Sequence, residues 1–157
     1  MNSLELKIIP PFQVLILGAL MWWFHERFDL SDFYLHVHFG WEYFLSRFVL
    51  VLALIIVLLA VLEFWKHKTT VSPVNIHKTN SLITTGVFKW SRNPIYFADI
   101  LILFAWALWL GFLPGIAVIV IFVCYMRRFQ IQPEEVLLEE TFGKAYRDYC
   151  ARTRRWI

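Results

Sequence analysis

Between Arg47 and Glu63 runs an unbroken apolar stretch, Phe48 to Leu62, built almost wholly of Leu, Val and Ile. With its flanks it extends from Phe44 to Trp65, long enough to cross a hydrocarbon layer of ~30 Å. A chain segment in lipid must satisfy its backbone polar groups internally, so a run of this kind folds as a helix. The rest of the chain fits that setting. Of its 157 residues, 59% are hydrophobic and 18% aromatic, eight of them Trp. Amphipathic rings in such number suit the two membrane–water interfaces.

Three further apolar segments extend the pattern. The first runs from about residue 12 to 28 and follows Pro10-Pro11, a good helix start. The third covers about 95 to 110 and the fourth about 113 to 127. Gly111-Phe112-Leu113-Pro114-Gly115 breaks the chain between them. At ~1.5 Å per residue the last two are short for full spans and read as a tight hairpin. The expected fold is an all-α integral membrane protein with about four transmembrane helices and a cytosolic C-terminal helix. It is read as one domain over 1–157, with no cleaved leader. No internal repeat stands out.

Charge orients the spans. Lys66, Lys68, Lys78, Lys89 and Arg92 occupy the loop before the third span, without an acid among them. The tail adds Arg127, Arg128, Lys144, Arg147, Arg152, Arg154 and Arg155, whereas the loop after the first span holds Asp29, Asp32 and Glu42. By the positive-inside rule the basic loop and tail are cytosolic, and four spans put both termini on that side. The expected location is a bacterial or archaeal cytoplasmic membrane. The basic stretches suit anionic lipid head groups, and no nucleic-acid partner is expected.

Two polar blocks then share the cytosolic face. The first ends in Arg92-Asn93-Pro94-Ile95-Tyr96, where proline opens a helix. It reads either as a basic stop with an interfacial tyrosine, or as an anion site made of unpaired helix-start amides with Arg92 and Asn93 as extra donors. The second is Glu134-Glu135 after Pro133. Acids in a first helical turn complement the helix dipole. Carboxylates within reach of a basic loop also hold an ammonium, a sulfonium or ribose hydroxyls. From Glu134 to Tyr149 the apolar spacing fits one helical face, which serves equally as a lid or a surface anchor. Asp99, one turn into the third span, is costly in lipid unless it faces protein or water. The five histidines and the two cysteines, Cys124 and Cys150, have no metal-ligand spacing, so neither a metal site nor a disulfide is expected.

These blocks resemble the isoprenylcysteine carboxyl methyltransferase and phospholipid methyltransferase superfamily. The matching motifs are Leu82-Ile83-Thr84-Thr85-Gly86-Val87-Phe88, Arg92-Asn93-Pro94-Ile95-Tyr96, Glu134-Glu135 and Phe142-Gly143-Lys144-Ala145-Tyr146-Arg147-Asp148-Tyr149. They cover roughly the second half of the chain, and their order and spacing carry the likeness. The resemblance implies S-adenosylmethionine as cofactor, held by the motifs at 80–96 and 130–149. The cofactor-binding positions it implies are Asn80, Ser81, Leu82, Ile83, Gly86, Phe88, Asn93, Pro94, Ile95, Tyr96, Glu134 and Glu135. Arg92 and Glu134 are the residues expected to act on the reacting groups. The methyl acceptor is expected to be lipophilic or a small molecule reached from the bilayer.

The chain departs from the pattern at two places. Carboxyl methyltransferases carry an Arg four residues before the cofactor acid to hold the substrate carboxylate. Gln130 stands there in this chain, with Arg128 nearby, and both are candidate substrate-binding residues. Asn93 replaces the commoner His, which excludes a proton-accepting role. Two other classes stay open at this point. Arg92, Tyr96 and Asp99 also match a pattern of NADPH-dependent membrane sterol reductases, and a non-catalytic membrane protein can keep the same fold.

Overall fold

The computed structural model describes residues 10–27, 41–67 and 81–157. The described residues form helices, with no strand among them. The helices are α1 (Pro10–Arg27), α2 (Trp41–Lys66), α3 (Pro94–Leu110), α4 (Gly115–Tyr125), α5 (Gln132–Phe142) and α6 (Lys144–Arg152). A single 3-10 turn, Gly86–Lys89, precedes α3, and a π-helical segment, Met126–Ile131, joins α4 to α5.

Helix α3 is the centre of the packing. It lies chiefly against α2 and also against α1 and α4. Small residues let the axes approach: Ala53 and Ala60 on α2, and Ala98, Ala105 and Ala107 on α3, are all buried. Two hydrogen bonds tie the helices at depth. Ser46 Oγ donates to the Ala105 carbonyl at 2.8 Å, and Trp106 Nε1 donates to the Gly18 carbonyl at 3.0 Å. Met21, Leu103, Phe122, Met126 and Ile131 fill the space between α1, α3 and the long last helix.

Phe44, Phe48, Val51, Leu54, Ile55 and Leu58 stand exposed along α2. Apolar surface of that extent is unstable in water and stable in lipid. Among the described residues, two helices are long and apolar enough to cross a membrane: α2, with 26 residues, and the continuous 28-residue helix Gly115–Phe142. Helix α3 is apolar but has 17 residues. Helix α1 has 18 residues and ends in His25-Glu26-Arg27.

The turn between α3 and α4 begins at Gly111, whose φ of +62° ends α3 in a left-handed cap. The Gly111 and Phe112 amides return to the Leu108 and Ala107 carbonyls. The second arm differs from the sequence reading. Instead of stopping near residue 127, the helix runs on to Phe142 through the π segment. Pro133 does not stop it, because a proline lacks only one donor and the wider π turn just before it accommodates the ring. The part of the basic loop holding Lys68, Lys78 and Asn80, and the part of the first loop holding Asp29, Asp32, His36 and His38, lie outside the described residues.

Candidate functional site at the base of α3

The site forms where the first turn of α3 meets the start of α5. Tyr96 is on that first turn and donates its hydroxyl hydrogen to Glu134 Oε1 in a short hydrogen bond. Gln130 Nε2 donates to the same oxygen at 2.8 Å and lies 3.5 Å from the Tyr96 hydroxyl. Gln130 is 2% exposed, so this amide is fixed within the protein and does not sweep through solvent. The π segment explains how. Its extra residue turns Gln130 and Glu134, four apart, onto the face that meets α3. Burial there is tolerated because each polar group has a partner.

Beside this set lies a second acid with two cations. Arg155 grips Glu135 through Nε to Oε1 at 2.9 Å and Nη2 to Oε2 at 2.7 Å. Such a fork is the strong form of the ion pair, and its hydrogen bonds hold the Arg155 guanidinium charged beyond its ordinary range. Arg92 Nη1 comes within 3.3 Å of Glu135 Oε1 and also donates to Tyr146 Oη and Cys150 Sγ. Arg92 Nε is buried and has no partner among the described residues.

The C-terminal segment clasps the loop before α3. Tyr149 donates to the Phe88 carbonyl at 2.7 Å. The Arg92 amide donates to the Arg154 carbonyl at 3.0 Å, and Asn93 Nδ2 to the Arg155 carbonyl at 3.0 Å. Thr153 and Ser91 add longer contacts to the Lys89 and Arg155 carbonyls. Burial pushes the hydroxyls of Tyr146 and Tyr149 well above the usual phenol range. The two motif tyrosines therefore act here as neutral hydrogen-bonding groups. In the structure α6 and the tail hold the loop.

The loop itself rests on α2. Ile83 and Phe88 are buried with Ala60, and Phe88 meets Phe64 edge to face at 5.5 Å between ring centres. Val87 and Ile95 pack at the margin of that cluster. Ser81 and Leu82 are half-buried. Gly86 has φ of +58° and passes directly over Glu63. Glu63 accepts hydrogen bonds from Thr85 and Lys66, the latter at 2.8 Å.

Several sequence candidates therefore converge. Tyr96, Gln130 and Glu134 form one polar set, and Arg92, Asn93 and Glu135 form a second through Arg155, the two meeting at the neighbouring acids Glu134 and Glu135. Ile83, Gly86, Phe88 and Ile95 shape the loop beside them. Arg128 is exposed, with its guanidinium 5.4 Å from the ring centre of Phe129. Asn80 lies outside the described residues. Asn93 does not cap α3 with its side chain; it is used to fasten the tail. Sequence reasoning missed Glu63, Cys150 and Arg155. The basic tail is a visible signal in the sequence, but a positive-inside charge pattern gives it no individual partner. Among the described residues, no three His, Cys, Asp or Glu side chains gather as a metal site.

Glu134 is thus bound by Tyr96 and Gln130, and Glu135 by Arg155 and Arg92, with the Arg92 Nε left as a buried donor. Comparison with known proteins bears on the family. Over 63 residues the chain is 43% identical to an uncharacterized protein of Haemophilus influenzae, covering 40% of this chain and all of that protein. No solved structure matches the chain. The phospholipid methyltransferase family model matches residues 41–145, a stretch that takes in α2, the clasped loop, α3, α4 and both acids. With two-thirds of its length and the whole of this cluster but the tail inside that match, the chain belongs to the phospholipid methyltransferase family of membrane methyltransferases.

Proposed function

We propose that this protein transfers a methyl group from S-adenosylmethionine to a lipophilic acceptor at the cytosolic face of the membrane. The observation that carries the reading is Glu134, held by Tyr96 and Gln130 at the base of α3, next to a loop that the tail locks in place. The residues fit the donor. A carboxylate such as Glu134 favours its cationic end. The amides of the α3 start, which no preceding turn can satisfy, favour its carboxylate. Arg92 adds the unpartnered Nε donor.

S-adenosylmethionine supplies a methyl carbon already activated for displacement, so the protein need not supply a nucleophile. What this chain's residues provide is alignment, which is worth several kcal/mol in a bimolecular reaction brought onto one scaffold, roughly 7–11 at best. Gln130 in place of an arginine argues for a neutral or amine-bearing acceptor over a carboxylate.

In this reading α1, α2, α3 and the Gly115–Phe142 helix cross the membrane as four spans, with the Lys- and Arg-rich loop and tail in the cytosol. Calorimetric titration of the detergent-solubilised protein with S-adenosylhomocysteine and, separately, NADPH is the test. Binding of the first and not the second is expected, and the reverse would replace the methyltransfer reading with a reductase. Single-cysteine labelling from outside intact cells, in a background lacking Cys124 and Cys150, checks the orientation. Leu113→Cys should react and Lys144→Cys should not.

A further inference from the structure

Helices α1 and α2 both pack on α3, and among the described residues a groove of about 480 Å³ lies between them. Leu15 and Gly18 of α1 line one side, Arg47 and Leu50 of α2 the other, and Trp106 and Trp109 of α3 form the floor. The two floor rings stack with their centres 5.0 Å apart, which makes that floor flat. The volume is within the range of small-molecule sites, roughly 300–1,000 Å³.

This groove is separate from the site at the base of α3. Its lining on α3 begins at Ile102, about 9 Å beyond Tyr96 along the helix axis. No member of the Tyr96–Glu134 set lines it. Its polar groups are mostly spent: Ser46 donates to the Ala105 carbonyl and the Trp106 indole to the Gly18 carbonyl. Arg47 carries the single charge of the lining. Its guanidinium is exposed and has no ion pair or hydrogen bond among the described residues.

Depth and charge narrow the ligand. Helix α2 has 26 residues, about 39 Å of helix, against a hydrocarbon layer of ~30 Å. Trp41 and Tyr43 are exposed at its start, where interfacial aromatics belong. Its first turn therefore lies among head groups, and Arg47 stands about 9 Å past Trp41. A long guanidinium side chain reaches back from that level to the interface. Charge persists in a membrane segment where it is paired, and a guanidinium pairs best with a phosphate or carboxylate held in its fork. The groove beside it needs hydrocarbon. Leu15 and Leu50 are exposed at its edges, so it opens sideways onto the surface that meets acyl chains. A phospholipid joins both requirements in one molecule, and net negative charge complements Arg47.

We propose that this groove binds an anionic phospholipid of the surrounding bilayer, with an acyl chain between α1 and α2 and the phosphate on Arg47. The proposal rests on the membrane-embedded fold and not on methyl transfer, because the groove lies apart from Glu134. A chain seated there bridges α1 to α2 and braces the bundle.

The test is native mass spectrometry of the delipidated protein in detergent, titrated separately with phosphatidylglycerol, phosphatidylcholine and glycerol 3-phosphate. The wild type should bind phosphatidylglycerol at least tenfold more tightly than phosphatidylcholine, and its melting temperature should rise when it does. Glycerol 3-phosphate should bind far more weakly than either lipid. Arg47→Gln should bring the ratio of the two lipids near one, and Arg47→Lys should keep part of it. Arg27→Gln removes an exposed cation at the end of α1, outside the groove, and should leave the ratio within twofold. Ala19→Trp fills the groove from the α1 side and should weaken both lipids at least fivefold with Arg47 still in place. Leu50→Trp fills it from α2 and gives the same reading if Ala19→Trp does not fold.

A wild-type ratio near one, or a ratio untouched in Arg47→Gln, would overturn the proposal. So would an equal loss of the ratio in Arg27→Gln, which would reduce the preference to the general charge of that surface. Glycerol 3-phosphate binding as tightly as phosphatidylglycerol would make Arg47 a site for free phosphate. Full lipid binding in a folded variant with the groove filled would show that no chain enters it.

Discussion

A Cβ placed on Gly86 would lie 2.7 Å from the Glu63 carboxyl group, closer than real Cβ contacts allow. The loop that carries the first polar block thus crosses the end of α2 at the one residue without a side chain. Two costs therefore meet in Gly86→Ala. A left-handed conformation costs a non-glycine residue about 1–2 kcal/mol. The clash adds to it, because Glu63 is held by Thr85 and Lys66 and is not free to withdraw. Gly86→Ala should lower the melting temperature in detergent and weaken S-adenosylhomocysteine binding. The double variant Gly86→Ala/Glu63→Ala should recover the clash but not the backbone cost. Wild-type stability in the single variant would show that the loop is not seated on Glu63.

Glu134→Gln tests the acid at the centre of the cluster. The amide keeps the shape and can still accept from Tyr96, but the negative charge is gone. S-adenosylhomocysteine affinity should fall at least tenfold, about 1.4 kcal/mol, with the melting temperature nearly unchanged. Calorimetry on the purified variant is the measurement. An unchanged dissociation constant would remove Glu134 from the donor site.

The clasp predicts an alkaline limit. Tyr146 and Tyr149 are raised above their ordinary value of 10.0 by burial, so the fold favours their neutral forms. Their contribution is fully present below about pH 10, the value in the unfolded chain, and is lost as pH rises toward the folded values. Denaturant titrations from pH 8 to 12 should show stability falling above pH 10. Tyr149→Phe should reduce that fall. At pH 8 the same variant should cost roughly 1 kcal/mol or more, since the Phe88 carbonyl loses its buried donor. A pH profile identical in the two proteins would mean that the Tyr149 hydroxyl does not govern the transition.

The sequence made some of this legible and concealed the rest, for physical reasons. The α2 span could be read because fifteen residues from Phe48 to Leu62 leave no polar alternative. The meeting of Tyr96 with Glu134, and of Arg92 with Glu135, follows from a short turn at Gly111 that brings the start of α3 near the start of α5. The continuity of the last helix could not, since Pro133 is an ordinary stop signal and nothing in the local pattern marks a π segment. The roles of Tyr149 and Arg155 were also hidden. Their partners, the Phe88 carbonyl and Glu135, are long-range, and one of them is a backbone atom without a side-chain signature. Glu63 read as the polar end of a span, and only its position under Gly86 gives it a function in shaping the loop.

The last prediction concerns the acceptor and turns on Gln130. The position four residues before the acid is where a carboxylate-holding arginine is expected in carboxyl methyltransferases. In this protein the residue is a buried amide spent on Glu134 and Tyr96. An amide gives a carboxylate no charge and no two-pronged fork, and here its donor already faces an acid. Labelled S-adenosylmethionine should therefore transfer methyl groups to a phosphatidylethanolamine and not appreciably to a farnesylcysteine analogue. Gln130→Arg should not create the second activity, because the new guanidinium would pair with Glu134 and disturb the donor site before it could reach a substrate carboxylate. Gln130→Ala should lower the turnover of any true acceptor by loosening Tyr96 and Glu134 together. Arg128 is the residue that could reverse this outcome, being two positions earlier and exposed. Robust methylation of the farnesylcysteine analogue by the wild type, abolished by Arg128→Ala and kept by Gln130→Ala, would show that the carboxylate holder has shifted along the helix, and the acceptor class argued here would be wrong.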